Sequence, residues 1–237
     1  MSLSIGIVGL PNVGKSTLFN ALTNNDILAA NYPFATIEPN TGIVPVPDNR
    51  LQILADLYHA QKIIPATVTF VDIAGLVAGA SKGEGLGNKF LHNIRECDAI
   101  IHVVRAFENS KILRYDEAPI DPKKDIEVIN TELILADLQT LEKRLPQLQK
   151  EAKANPKARQ KVEYLQSLID NLQKGVPISA LSDVDFEAIS DLHLLTAKPV
   201  IYAFNVDEEG LNNSDLQSQL TELVSPAKTV FVCAKLE

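Results

Sequence analysis

The chain has 237 residues, 46% hydrophobic and 22% charged, a composition that excludes a disordered polypeptide. Its net charge of −8 argues against a whole-surface attraction to nucleic acid or anionic lipid while leaving local basic patches open, and no apolar run approaches the roughly 20 residues that span a bilayer. The chain opens on a strand pattern where a signal peptide would carry a basic segment, and the two cysteines, Cys97 and Cys233, are far apart in sequence; both features fit a reducing cytoplasm without a disulfide framework.

The run Ser4–Leu10 is apolar and β-branched and reads as a buried strand. It leads into Gly9-Leu-Pro-Asn-Val-Gly14-Lys15-Ser16, a full match to G-x-x-x-x-G-K-[ST], set between that strand and a predicted helix over Lys15–Asn24. Gly9 and Gly14 let backbone N–H groups turn inward around phosphates, and the helix presents its positive end to the same anion. The predicted phosphate-site residues are Asn12, Val13, Gly14, Lys15, Ser16 and Thr17. Lys15 is expected to reach the β- and γ-phosphates, and the Ser16 hydroxyl to ligate Mg²⁺.

The polar, Pro-interrupted stretch Asn31–Asn40 reads as a loop. Thr36 within it is the candidate for a second hydroxyl ligand of Mg²⁺; the alternative is an ordinary turn residue. A strand is predicted over Gly42–Val46, at a sheet edge given Pro45 and Pro47, and a helix over Arg50–Ala60. The next buried strand, Ala66–Ile73, ends in Asp72-Ile-Ala-Gly75. An Asp at a strand tip beside a phosphate loop holds the Mg²⁺ shell through a water, and Gly75 leaves its N–H room to approach the γ-phosphate. Glycines 79, 83, 85 and 87 follow; they read either as a hydrolysis-sensitive switch or as a flexible connector. A helix over Asn88–Glu96 and a strand over Ala99–Phe107 come next, with His102 expected in the core.

From Asp125 to Leu195 no strand pattern is present. Ile134, Leu138, Leu141, Leu145 and Leu148, then Val162, Leu165, Ile169 and Leu172, recur at coiled-coil spacings on either side of a turn at Ala154-Asn155-Pro156-Lys157. These predict an antiparallel helical hairpin inserted into the sheet domain, with Pro146 kinking its first helix or ending it early. Between Lys143 and Lys174 eight basic residues outnumber three acidic ones, leaving +5; this is either a solvated helical face or a docking surface for RNA or an acidic partner.

Strands are predicted over Pro199–Val206 and Lys228–Ala234, with a helix over Ser214–Val224 between them; the alternation argues for a doubly wound α/β sheet. Asn205-Val206-Asp207-Glu208 stands where GTPases carry Asn-Lys-x-Asp, whose Asp accepts two hydrogen bonds from guanine. Glu208 sets its carboxylate one methylene farther out. As a mispaired buried carboxylate this would cost about 2 kcal/mol, enough to reverse a purine preference. Val206 lacks the Lys stem that covers the base, and Cys233-Ala234-Lys235 resembles the Ser-Ala-Lys turn whose backbone contacts it. Asn205, Val206, Glu208, Cys233 and Ala234 are therefore the predicted base-site residues, with ATP preferred and GTP weaker; Asn205 alone favours GTP.

Gly9–Thr17, Tyr32–Gly42, Phe70–Phe90 and Asn205–Glu208 together resemble the Obg-like ATPases, called YchF in bacteria. The resemblance implies a Ras-like P-loop sheet with helices on both faces, residues 1–124 and 196–237, interrupted by a helical coiled-coil domain, 125–195. It also implies Mg²⁺-dependent hydrolysis of ATP over GTP and a ribosome or ribosomal subunit as partner, with no membrane and no DNA. Members carry a further C-terminal TGS domain, which this sequence is expected to lack. Family members often have a His shortly after Phe-Glu-Asn; here Phe107-Glu-Asn leads to Arg114, so no such role is carried over.

Lys15, Thr36 and Gly75 are the predicted catalytic residues. Ras-type enzymes orient the attacking water with a Gln after D-x-x-G; here Leu76 can neither donate nor accept, so slow turnover without an activator is expected. Asn12 either supports a K⁺ bridging the phosphates or shapes the loop. A nucleotide-sensing module with incidental hydrolysis, working through the hairpin, is the remaining reading.

Overall fold

The computed structural model describes residues 2–23, 41–73, 86–108, 119–153 and 155–236. Thr36, Gly75, Leu76, Arg114 and the glycines at 79, 83 and 85 lie outside the described residues.

Six strands, β1 (Leu3–Val8), β2 (Thr41–Pro45), β3 (Thr67–Asp72), β4 (Ala99–Arg105), β5 (Val200–Asn205) and β6 (Lys228–Val232), form one sheet in the order β2-β3-β1-β4-β5-β6. Among the described residues only β2 runs antiparallel to its neighbour. It is an edge strand, as its prolines require: Pro45, its last residue, pairs with Thr67, and an edge tolerates a residue that donates no ladder bond. The central strands are apolar along their length because helices cover both faces.

The helices are α1 (Lys15–Thr23), α2 (Arg50–Tyr58), α3 (Leu86–Glu96), α4 (Pro122–Ala152), α5 (Pro156–Gln173), the single turn α6 (Phe186–Ile189) and α7 (Ser214–Leu223). Leu18 of α1, Phe90 and Ile94 of α3, and Ile129 and Leu133 of α4 pack with Ile7, Val8 and Ile100 of the sheet. A second cluster joins Leu220 and Val224 at α7 to Phe204 and Tyr202 of β5. His102 is buried in β4 and tilts against the Tyr202 ring at 5.2 Å; burial, then the nearby Lys15 charge, lowers its pKa to about 3, so it is a neutral core residue.

The long helix α4 belongs to two cores. Asp121 caps it by accepting from the Lys124 N–H, with Pro122 in the first turn where its missing N–H costs nothing. Its first turns lie on the sheet through Ile129, Leu133 and Ala136; farther on, Leu141 and Leu148 pack with Leu165, Leu168, Ile169 and Leu172 of α5. Two packed helices joined by residues 153–155 run antiparallel. Of the two outcomes expected at Pro146 one is excluded, and the turn between the helices differs from its expected bounds. Pro146 does not end α4, which continues to Ala152; Leu141 and Leu148, both buried against α5, contribute about 2 kcal/mol each and offset the roughly 3 kcal/mol cost of an internal proline. The turn is also shorter than predicted, because Pro156 is the first residue of α5.

Candidate functional site

In a parallel sheet every strand delivers its following loop to the same edge, so Gly9, Asp72, Arg105, Asn205 and Cys233 arrive together at the C-terminal ends of β1, β3, β4, β5 and β6. The loop after β1 takes the shape its motif demands: Asn12 and Gly14 adopt positive φ (61° and 100°), and α1 starts at Lys15. A Cβ on Gly14 would lie 2.4 Å from the Asn205 amide nitrogen, so glycine is required there twice over.

Lys15 is buried, and its ammonium donates to the Leu10 carbonyl at 2.9 Å, across the mouth of its own loop. Burial lowers its pKa, and Asp72 partly offsets this. The Ser16 hydroxyl donates to Asp72 Oδ2 at 3.1 Å, while Asp72 Oδ1 is buried without a hydrogen-bond partner. A hydroxyl, a carboxylate and an unsatisfied acceptor beside a phosphate-binding loop are the donor set that hydrated Mg²⁺ takes, so these residues fit the ion.

Asn205 ties three segments together. Its amide nitrogen donates to the Val13 carbonyl at 2.9 Å and its oxygen accepts from the Ala234 N–H at 3.1 Å. A cleft of about 700 Å³ opens beside this tie, with Asn12, Gly14 and Thr17 on the phosphate-loop side and Val206, Cys233 and Ala234 on the other. That volume suits a nucleotide-sized ligand. Val206 lines the cleft while its side chain packs in the cluster with Phe204. The Asp207 carboxylate caps the following turn by accepting from the Gly210 N–H at 2.8 Å.

Glu208 is not buried, contrary to expectation. Its side chain is 63% exposed and its carboxylate lies 3.8 Å from the Lys235 ammonium at the cleft rim, so water screens it and the cost of a buried, mispaired carboxylate does not apply. Sequence reasoning missed Phe107 as a cleft residue. The Arg105 guanidinium lies over its ring at 4.7 Å, and Arg105 Nε donates to its carbonyl at 3.2 Å, so an aromatic face is held at the cleft wall. An aromatic residue two positions past the end of a central strand was the available signal.

Residues 4–131 match the family model described as 50S ribosome-binding GTPase. The whole chain aligns with the Ribosome-binding ATPase YchF of Haemophilus influenzae at 52% identity, covering 66% of that protein. The YchF of Bacillus subtilis aligns at 47% identity over the whole chain and 67% of its own length.

This chain belongs to the YchF family.

A solved structure, the Schizosaccharomyces pombe YchF GTPase, superposes with a TM-score of 0.82 at 37% identity, over 99% of this chain and 66% of that one. The chain spans 66% of the length of the Haemophilus relative. The names also divide over the base, ATPase for the curated YchF relatives and GTPase for the solved structure, so the family by itself does not choose the purine. Among the described residues, no helix is long and apolar enough to cross a membrane.

Proposed function

We propose that this chain is the nucleotide-binding part of a Mg²⁺-dependent ATPase that associates with the ribosome in the cytoplasm and takes GTP more weakly. The observation that carries the ATP preference is the commitment of the Ala234 N–H to Asn205. In the turn that Cys233-Ala234-Lys235 resembles, the backbone contacts the base. A guanine C6 oxygen needs a donor at that edge, whereas the adenine 6-amino group needs an acceptor. The cleft offers the carboxylates of Glu108, Glu208 and Glu209, with Lys235 as their one cation among the described lining residues. An acceptor-rich wall favours the amino group.

In this reading Lys15 releases Leu10 and meets the β- and γ-phosphates, while the amides between Gly9 and Lys15 cradle them. Mg²⁺, when bound, neutralises charge developing between the phosphates; Ser16 and Asp72 would hold it, the latter through a water, and Thr36 is proposed as its other hydroxyl ligand. Gly75 supplies an N–H to the γ-phosphate, and Phe107 stacks on the base. Lacking a Gln at position 76, the chain turns over slowly until an activator orders the water. K⁺ beside Asn12 is a proposed second cation. Residues 125–195 form the inserted coiled-coil unit, and its basic hairpin is the proposed ribosome-facing element.

The test is the ratio of ATP to GTP dissociation constants, measured with non-hydrolysable analogues by calorimetry. Wild type is expected to bind the ATP analogue more tightly, and Glu208→Gln, which puts an amide donor on the acceptor-rich wall, to narrow the gap. Equal affinities in wild type would remove the preference and leave the phosphate site standing.

A further inference from the structure

The root of the hairpin, at the N-terminal ends of β4 and β5 and so at the other end of the strands from the nucleotide cleft, is a buried polar clasp. Asp137 sits midway along α4 and is fully buried; its carboxylate accepts from the Leu195 N–H at 2.8 Å, the Thr196 N–H at 2.8 Å and the Thr196 hydroxyl at 2.7 Å. The Thr196 carbonyl accepts from the Ser179 N–H at 2.8 Å, which brings in the segment that leaves α5. Both legs of the insertion are thus bonded to one another at the point where they meet the sheet.

The end of α3 is fastened to both legs. The Arg95 guanidinium donates to the Thr140 hydroxyl at 3.3 Å, one turn beyond Asp137 on α4. On the return leg, the Lys198 ammonium donates to the Arg95 carbonyl at 3.0 Å and to the Cys97 carbonyl. Phe90, Leu91 and Ile94 of α3 share the main core with Ile73, the residue after the candidate Mg²⁺ residue Asp72, and with Val13 of the phosphate loop. Beside the clasp lies a cleft of about 800 Å³, bounded by His92 and Arg95 of α3 and by Phe186, His193 and Lys198, so α3 is not packed solid on that side. Beyond Asp137, α4 runs to Ala152, a lever of about 22 Å at 1.5 Å per residue.

We infer that Arg95 and Thr140 form a positioning joint through which displacement of α3 is carried to the basic hairpin, so that the nucleotide at the cleft sets the direction of the hairpin. The physical ground is that α4 is one continuous helix in two cores. A push at Thr140 cannot be absorbed between the sheet and the hairpin, because close-packed cores transmit strain. The joint rests on the proposed nucleotide site, which supplies the difference between states.

Spin labels at Glu151→Cys, near the hairpin turn, and Ser218→Cys, on α7, read the distance between hairpin and sheet by pulsed electron resonance; native Cys97 and Cys233 are buried. Distances are compared with Mg²⁺-ADP and with a Mg²⁺ complex of a non-hydrolysable ATP analogue. The wild-type joint is expected to give a shift of about 2 Å or more between the two, consistent with lever motions of this kind. Thr140→Val, nearly isosteric, and Arg95→Gln are each expected to reduce that shift by at least half while leaving both nucleotide dissociation constants within about twofold. An unchanged shift in both variants, or no shift in wild type that binds both nucleotides, overturns the inference and leaves the proposed site intact. A chain that binds neither nucleotide overturns both.

Discussion

Replacing Asn205 with Ala should expose the central tie of the site. The Asn205 side chain is buried and bridges Val13 and Ala234, which lie 192 and 29 residues away from it. Truncation to Ala leaves the Val13 carbonyl and the Ala234 N–H without these partners inside the cleft wall. At about 1 kcal/mol for each lost bond, and more if water cannot reach the orphaned groups, the cost is about 2–3 kcal/mol. For a chain of this size that lowers the thermal midpoint by about 4–10 °C. Asn205→Asp separates the two bonds, because a carboxylate can accept from Ala234 but cannot donate to the Val13 carbonyl. It should therefore destabilise by a similar amount despite its near-identical shape. Scanning calorimetry gives the midpoint and titration with Mg²⁺-ADP gives the affinity, which should fall at least tenfold in both variants as the phosphate loop loses its brace. A midpoint within 1 °C of wild type together with unchanged ADP affinity would refute the bridging role.

Lys15→Met should separate stability from function: it removes a buried ammonium whose pKa burial depresses, so the midpoint should hold or rise, while triphosphate affinity measured by calorimetry falls on the order of 100-fold. Phe107→Ala should weaken ATP and ADP alike by about 5–100-fold, the worth of one stacked base, and leave the ratio between the two unchanged in titrations. His102, whose pKa is lowered to about 3, should make the fold acid-sensitive. Below pH 6.5 the unfolded chain takes up a proton that the folded chain refuses, so stability falls as pH falls from 6.5 towards 3. At pH 5 the loss is about 2 kcal/mol in urea unfolding, and His102→Phe should lack that component. Turnover compared in K⁺ and Na⁺ at equal ionic strength should be faster in K⁺; identical rates would remove the cation proposed beside Asn12.

The phosphate loop was legible because its chemistry is local. Eight contiguous residues carry the glycines whose backbone freedom the turn needs, and the structure shows Gly14 at φ 100° directly before α1. The parallel strands were legible for a related reason: a strand covered on both faces must be apolar along its length. The edge position of β2 followed from proline, which cannot donate to a ladder. The early helix end, one of the two outcomes expected at Pro146, did not occur, because a local rule counts the lost helix bond and not the leucines on either side of it that pack against α5. Glu208 misled because motif spacing places a residue beside a base but does not say whether water reaches it.

By itself the sequence determined the fold class and the phosphate-loop backbone, since each is written in a short window as a pattern of glycine and apolar spacing. Only the tertiary structure decided that Asn205 joins the phosphate loop to the turn at Ala234, that Phe107 stands at the cleft wall, and that α4 belongs to two cores with Asp137 clasping the return leg. The reason is that hydrogen bonds between distant segments depend on which faces the packing brings together, and no local window carries that information.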